Sequence, residues 1–86
     1  MNENLKAVAL KYEKSKDRAP KVVAKGRKKL AEKIIEMAKE HNIEIYEDSD
    51  LVELLYSLDF YEEIPEDLYS AVAEILAYVY KVSKNK

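Results

Sequence analysis

The side chains able to do chemistry in this chain are of few kinds. His41 is the sole histidine and cysteine is absent, which removes thiolate nucleophiles, disulfides, and thiolate or multi-histidine metal sites. Carboxylates are plentiful, and Glu62-Glu63 and Glu66-Asp67 form adjacent pairs. A carboxylate pair does acid–base work only where an apolar cleft holds the two pKa values apart. Nothing around these residues suggests such a cleft, so they read as solvated groups and as charges at a helix start. His41 closes an amphipathic stretch and reads as a capping or half-buried side chain. Gly26 is the only glycine, which excludes a glycine-rich loop that cradles phosphate. No catalytic residue, no metal site and no cofactor is expected.

Recognition is the stronger expectation. Between Lys11 and Lys29 lie nine basic and two acidic residues, a phosphate-contacting surface in principle. Tyr12 is the lone aromatic among them, so base stacking has little support. The charge is also lopsided along the chain. Residues 1–41 hold twelve Lys/Arg against six Asp/Glu, whereas residues 42–86 hold three against eleven, for a net charge of −2. This pattern gives either one basic and one acidic face or simply two well-solvated surfaces. Seven tyrosines in 86 residues, among them Tyr56, Tyr61, Tyr69, Tyr78 and Tyr80, exceed what a core of this size buries. Tyrosine is favoured at interfaces because it offers contact area at small entropy cost.

The elements that must position these groups follow from the hydrophobic pattern. Residues 7–12 alternate around β-branched Val8 and read as a strand; 13–19 is a polar loop. Pro20 pushes Ala19 towards extended geometry, and residues 21–25 form a second strand closed by Gly26, which supplies a positive φ or a close backbone approach. From Arg27 the period becomes helical, with Leu30, Ile34, Met37, Ala38 and His41 on one stripe. Asn42 suits the left-handed turn after a helix. Residues 43–46 alternate again, giving a third strand. Asp50 and Glu53 resemble a capping box ahead of Leu51, Leu54, Leu55 and Leu58. Pro65, Glu66 and Asp67 begin a last helix with stripes Leu68-Val72-Ile75-Val79 and Tyr69-Ala73-Leu76-Tyr80. The expected class is α/β: a small mixed sheet of about three strands in the order β-β-α-β-α-α, packed with three helices, with a right-handed parallel crossover between the second and third strands. A single domain over 1–86 is expected, with its core at about 7–82 and tails at 1–6 and 83–86. No apolar run approaches the roughly 20 residues of a membrane span. No secretory signal is visible, so the expected location is the cytoplasm.

Three blocks, in order, carry a family resemblance: Ala7-Val8-Ala9-Leu10 with Tyr12, Ala19-Pro20-Lys21-Val22-Val23-Ala24-Lys25-Gly26, and Ile64 to Tyr80. Together they resemble the cytoplasmic domain of the FlhB/YscU family of flagellar and type III secretion export-switch proteins, over about Ala7 to Val82. In that family a self-cleaving Asn-Pro-Thr-His-aromatic motif directly precedes the first block. The asparagine amide attacks its own carbonyl and expels the proline nitrogen. Here Asn2 matches the asparagine, but Glu3 replaces proline, Asn4 threonine and Leu5 histidine. Only Met1 precedes Asn2, so no upstream strand is expected to strain the turn, and no self-cleavage is expected. The strand at 7–12 then exposes an edge, or has it covered by residues 2–6 or a neighbouring loop.

The resemblance further implies a shallow apolar patch that receives export substrates. By position it comprises Ala19, Pro20, Ala73 and Leu76; the other reading of these four is ordinary core. The expected function is a non-enzymatic component of flagellar or type III protein export, possessing no membrane anchor of its own, that docks on the export gate and binds secreted substrates. It could also sit peripherally at the inner-membrane gate. The alternative is a regulatory or nucleic-acid-associated adaptor using the basic 11–29 surface.

Overall fold

Two strands, β1 (Lys6–Lys11) and β2 (Lys21–Arg27), pair antiparallel, as alternating residues on either side of a polar loop dictate. The computed structural model describes residues 5–13 and 15–84, with side chains through Val79. Ala7 faces Gly26, Ala9 faces Ala24, and Leu10 faces Val22, which leaves Val23 as the extra residue of a β-bulge. The bulge resets the alternation, so Val22 stands opposite Leu10, and it is completely buried.

Helix α1 (Lys29–Glu40) packs on the opposite face. That face is built of Ala7, Ala9, Ala24 and Gly26, so the helix lies close. A methyl group in place of the Gly26 hydrogen would sit 2.8 Å from Leu30 Cδ2 and 2.9 Å from its Cβ. Gly26 therefore serves close approach and has no positive φ; the positive φ falls on Lys28 (56°), the N-cap of α1. The Lys28 N–H donates to Leu5 O at 2.9 Å and its carbonyl accepts from Glu32 N at 3.1 Å, holding a conformation that glycine would adopt more readily. At the other end, Asn42 takes the left-handed conformation (φ 58°), as expected. Asn42 N donates to Lys39 O and Ile43 N to Ala38 O, the paired bonds of a Schellman motif. Leu30 and Met37, expected on the buried stripe, are exposed, and Ala31 is the fully buried residue of α1.

The expected third strand at 43–46 is absent, and with it the parallel crossover. The Ile43 N–H is committed to the helix end, and Ile43 is 61% exposed. The place beside β2 is taken instead by residues 61–64, through a bridge between Lys21 and Glu63. Tyr46 turns towards the last helix and meets Tyr78 edge to face at 5.9 Å. The described residues thus form a two-stranded antiparallel sheet with three helices.

Helix α2 (Ser49–Tyr56) begins at Asp48, whose Oδ1 accepts from Leu51 N at 3.0 Å; the cap lies two residues before the expected Asp50. Leu51 and Leu55 are buried, Leu58 is half-buried and Leu54 is exposed. A half-buried lysine from β2 closes the far end. Lys25 Nζ donates to Tyr56 O at 3.1 Å and Leu58 O at 2.6 Å, and lies over the rings of Tyr56 and Phe60. A 3₁₀ turn (Glu66–Leu68) follows Pro65 and leads into α3 (Tyr69–Lys84). The core on this side comprises Ala19, Leu51, Leu55, Ile64 and Val72, with Val8 and Leu10 packed against it.

Candidate functional site

The loop after β1 is closed by its own acidic residues. Glu13 O accepts from Lys16 N and Asp17 N, while Glu13 N donates to Asp17 Oδ2 at 2.7 Å. This turn delivers Ala19, 2% exposed, and Pro20 to the start of β2. Pro20 offers no N–H, but its carbonyl accepts from Ile64 N at 3.0 Å. Val22 and the strip at 61–64 continue the seam, with Val22 N donating to Glu62 O and Tyr61 N donating to Val22 O at 2.6 Å. Ile64, 3% exposed, is thereby fixed next to Ala19 in the core.

Tyr69, Val72, Ala73 and Leu76 of α3 stand at i, i+3, i+4 and i+7, which is one helix face. This face meets the Ala19-Pro20 corner and leaves a depression of about 200 Å³. Its buried residues are Ala19, Pro20, Ile64 and Val72; Ala73 and Leu76 are more accessible, and Tyr12, Arg18 and Tyr69 are exposed at its margin. The four residues Ala19, Pro20, Ala73 and Leu76 therefore lie together around one hollow. Five lining residues were not anticipated as a site: Tyr12, Arg18, Ile64, Tyr69 and Val72. The spacing of Tyr69, Val72 and Ala73 was the signal available for the helical part.

The size of the hollow limits its occupant. Clefts for small-molecule ligands usually measure about 300–1,000 Å³, whereas an apolar cavity of about 150 Å³ holds benzene. A hollow of this volume suits one aliphatic or aromatic side chain. Among the described residues, Arg18 is the only lining residue that carries a full charge, and neither a carboxylate nor the histidine lines the hollow. His41 is exposed at the end of α1, with Nδ1 2.8 Å from Met37 O. Glu62 Oε1 accepts from Asp59 N, Glu63 pairs with Arg18, and Glu66 and Asp67 stand in the first turn of the 3₁₀ segment. No group of carboxylates or histidine able to hold a metal ion occurs among the described residues.

The basic stretch is partly neutralised from within. Lys11 and Lys16 pair with Glu13, Lys21 with Asp17, Arg18 with Glu63, and Lys25 with the carbonyls ending α2. Asn2, Glu3 and Asn4 lie outside the described residues; the Leu5 carbonyl receives the Lys28 N–H. Along its outer edge, β1 is paired with no strand among the described residues. No helix among them is long and apolar enough to cross a membrane.

A fold of this kind is shared with a known class of proteins. The model of the FlhB HrpN YscU SpaS family matches residues 1–79, and the chain belongs to that family. The uncharacterised protein YlqH of Bacillus subtilis is 46% identical over 80 residues, covering 93% of this chain and 86% of YlqH. The flagellar biosynthetic protein FlhB of the same organism is 44% identical over 79 residues, covering 91% of this chain but 22% of FlhB. The chain thus spans about a fifth of the FlhB proteins it resembles. Among solved structures, the cytoplasmic domain of FlhB from Shewanella putrefaciens superimposes with a TM-score of 0.87 at 40% identity, covering 93% of this chain and 66% of that one. The chain is FlhB-like in sequence and in fold.

Proposed function

We propose that this chain is a non-enzymatic component of flagellar or type III protein export, acting as one cytoplasmic domain at the export gate and holding apolar side chains of secreted substrates in the hollow. One observation carries the reading: Ala19 and Pro20 meet Ala73 and Leu76, far away in sequence, around a space sized for a single apolar group. Small residues make the depression, proline stiffens one wall, and leucine supplies an apolar grip. The outer edge of β1, which pairs with no strand among the described residues, adds a means of docking on the apparatus, since an open strand edge accepts a strand from another chain. The family's FlhB members, flagellar biosynthetic proteins by name, supply the biological setting. The adaptor reading based on nucleic acid is less well supported, because Tyr12 is the lone aromatic of the basic stretch and two acidic residues, Glu13 and Asp17, stand within it beside Lys11, Lys16 and Lys21.

Ala73 is exposed, so Ala73→Asp places a charge in the hollow without disturbing the core. Binding of a fluorescent peptide from a secreted subunit, followed by anisotropy, is expected to be lost while circular dichroism and thermal midpoint stay as in the parent. Unchanged affinity would remove the hollow from the mechanism.

A further inference from the structure

We infer that the hollow discriminates among peptides by charge, with Arg18 as a specificity-determining residue that favours a carboxylate next to the apolar anchor. This rests on the hollow being a peptide acceptor and adds which peptides it takes. Among the described residues, Arg18 alone brings a full charge to the lining, while Tyr12 and Tyr69 bring phenols. Among the described residues its one ion pair is a single contact to Glu63 Oε1 at 3.5 Å, and its side chain is 83% exposed. A guanidinium binds a carboxylate best through two parallel N–H···O bonds of about 2.7–2.9 Å. The long single contact leaves most of the Arg18 donors available, and Glu63 is a weak competitor because an exposed pair gains little.

Lys11, Lys16 and Lys21, the neighbouring described lysines, do not line the hollow. A peptide that seats leucine or phenylalanine in the hollow brings its neighbouring residue to the margin where Arg18 stands. Aspartate or glutamate there forms the two-point pair, whereas lysine or arginine meets a like charge. The ligand class is therefore an acidic–apolar peptide, read by one apolar contact and one charge.

The test uses three labelled peptides identical except after a single leucine anchor, where they carry Asp, Asn or Lys. Affinity for the whole chain is expected to fall in that order, with about a fivefold step from Asp to Asn at low salt and a smaller step as salt is raised. Arg18→Gln is expected to level the three, and Arg18→Glu to reverse their order. Equal binding of all three to the parent chain, or an order that persists in Arg18→Glu, overturns the charge selectivity but leaves the apolar hollow standing. Binding of none overturns the peptide-acceptor reading and this inference with it.

Discussion

On one face of the hairpin Ala7, Ala9, Ala24 and Gly26 present almost no side chain, and α1 lies close enough for Leu30 to crowd Gly26. On the other, Val8 and Leu10 reach into a core shared with α2 and α3, and the packing ends in an open hollow. The first face excludes everything by proximity. The second is filled by larger side chains from several segments, and such packing leaves gaps where the segments meet. A hollow opens on the second face for this reason.

Substitutions that act on one face at a time make this contrast measurable. Leu55→Ala, on the larger-residue side, is expected to cost about 2–4 kcal/mol, because a buried leucine leaves both lost transfer energy and a cavity. Urea unfolding would show it as a lowered midpoint; a loss below that range would mean the core collapses to fill the space. Gly26→Ala, on the close-packed side, is expected to cost about 1–3 kcal/mol by overpacking, since the Leu30 Cβ moves only with the helix backbone. An unchanged midpoint would show that α1 is free to slide.

The smallest effect has the opposite sign. Tyr61 is 74% exposed yet holds φ at 66°, a left-handed conformation costly for a bulky residue. Tyr61→Gly removes that strain, and part of the gain is offset by the greater freedom of glycine in the unfolded chain. A net stabilisation of about 0.5–1 kcal/mol is expected from thermal unfolding. Destabilisation instead would show that the exposed ring makes contacts the turn depends on.

Much of this architecture was legible from local pattern. The hairpin strands and the asparagine after α1 follow from residue types whose backbone preferences act over a few positions, whereas Glu66 and Asp67, expected to begin the last helix, form a 3₁₀ turn ahead of it. The four hollow residues were legible only through family resemblance, because alanine and proline carry no chemistry that marks them. The third strand misled because alternation at 43–46 has two readings: a strand, or an exposed run whose first N–H already serves the helix before it. What beside β2 could pair was decided elsewhere, by the strip at 61–64, whose sequence does not alternate. The bulge at Val23 was equally hidden, since it depends on the partner strand's register. Arg18 and Tyr12 reach the hollow from opposite ends of a polar loop, and loop residues have no period from which to read a direction.

The strip at 61–64, stitched to residues 20–22 by backbone bonds, ties the hollow to the folding of distant segments. The hollow draws on residues from Tyr12 to Leu76, so a molecule still emerging during synthesis, or one whose last helix has detached, does not form it. Cargo seated there would in turn clamp that helix in place by mass action. Occupancy and structural integrity would thus be read by a single equilibrium.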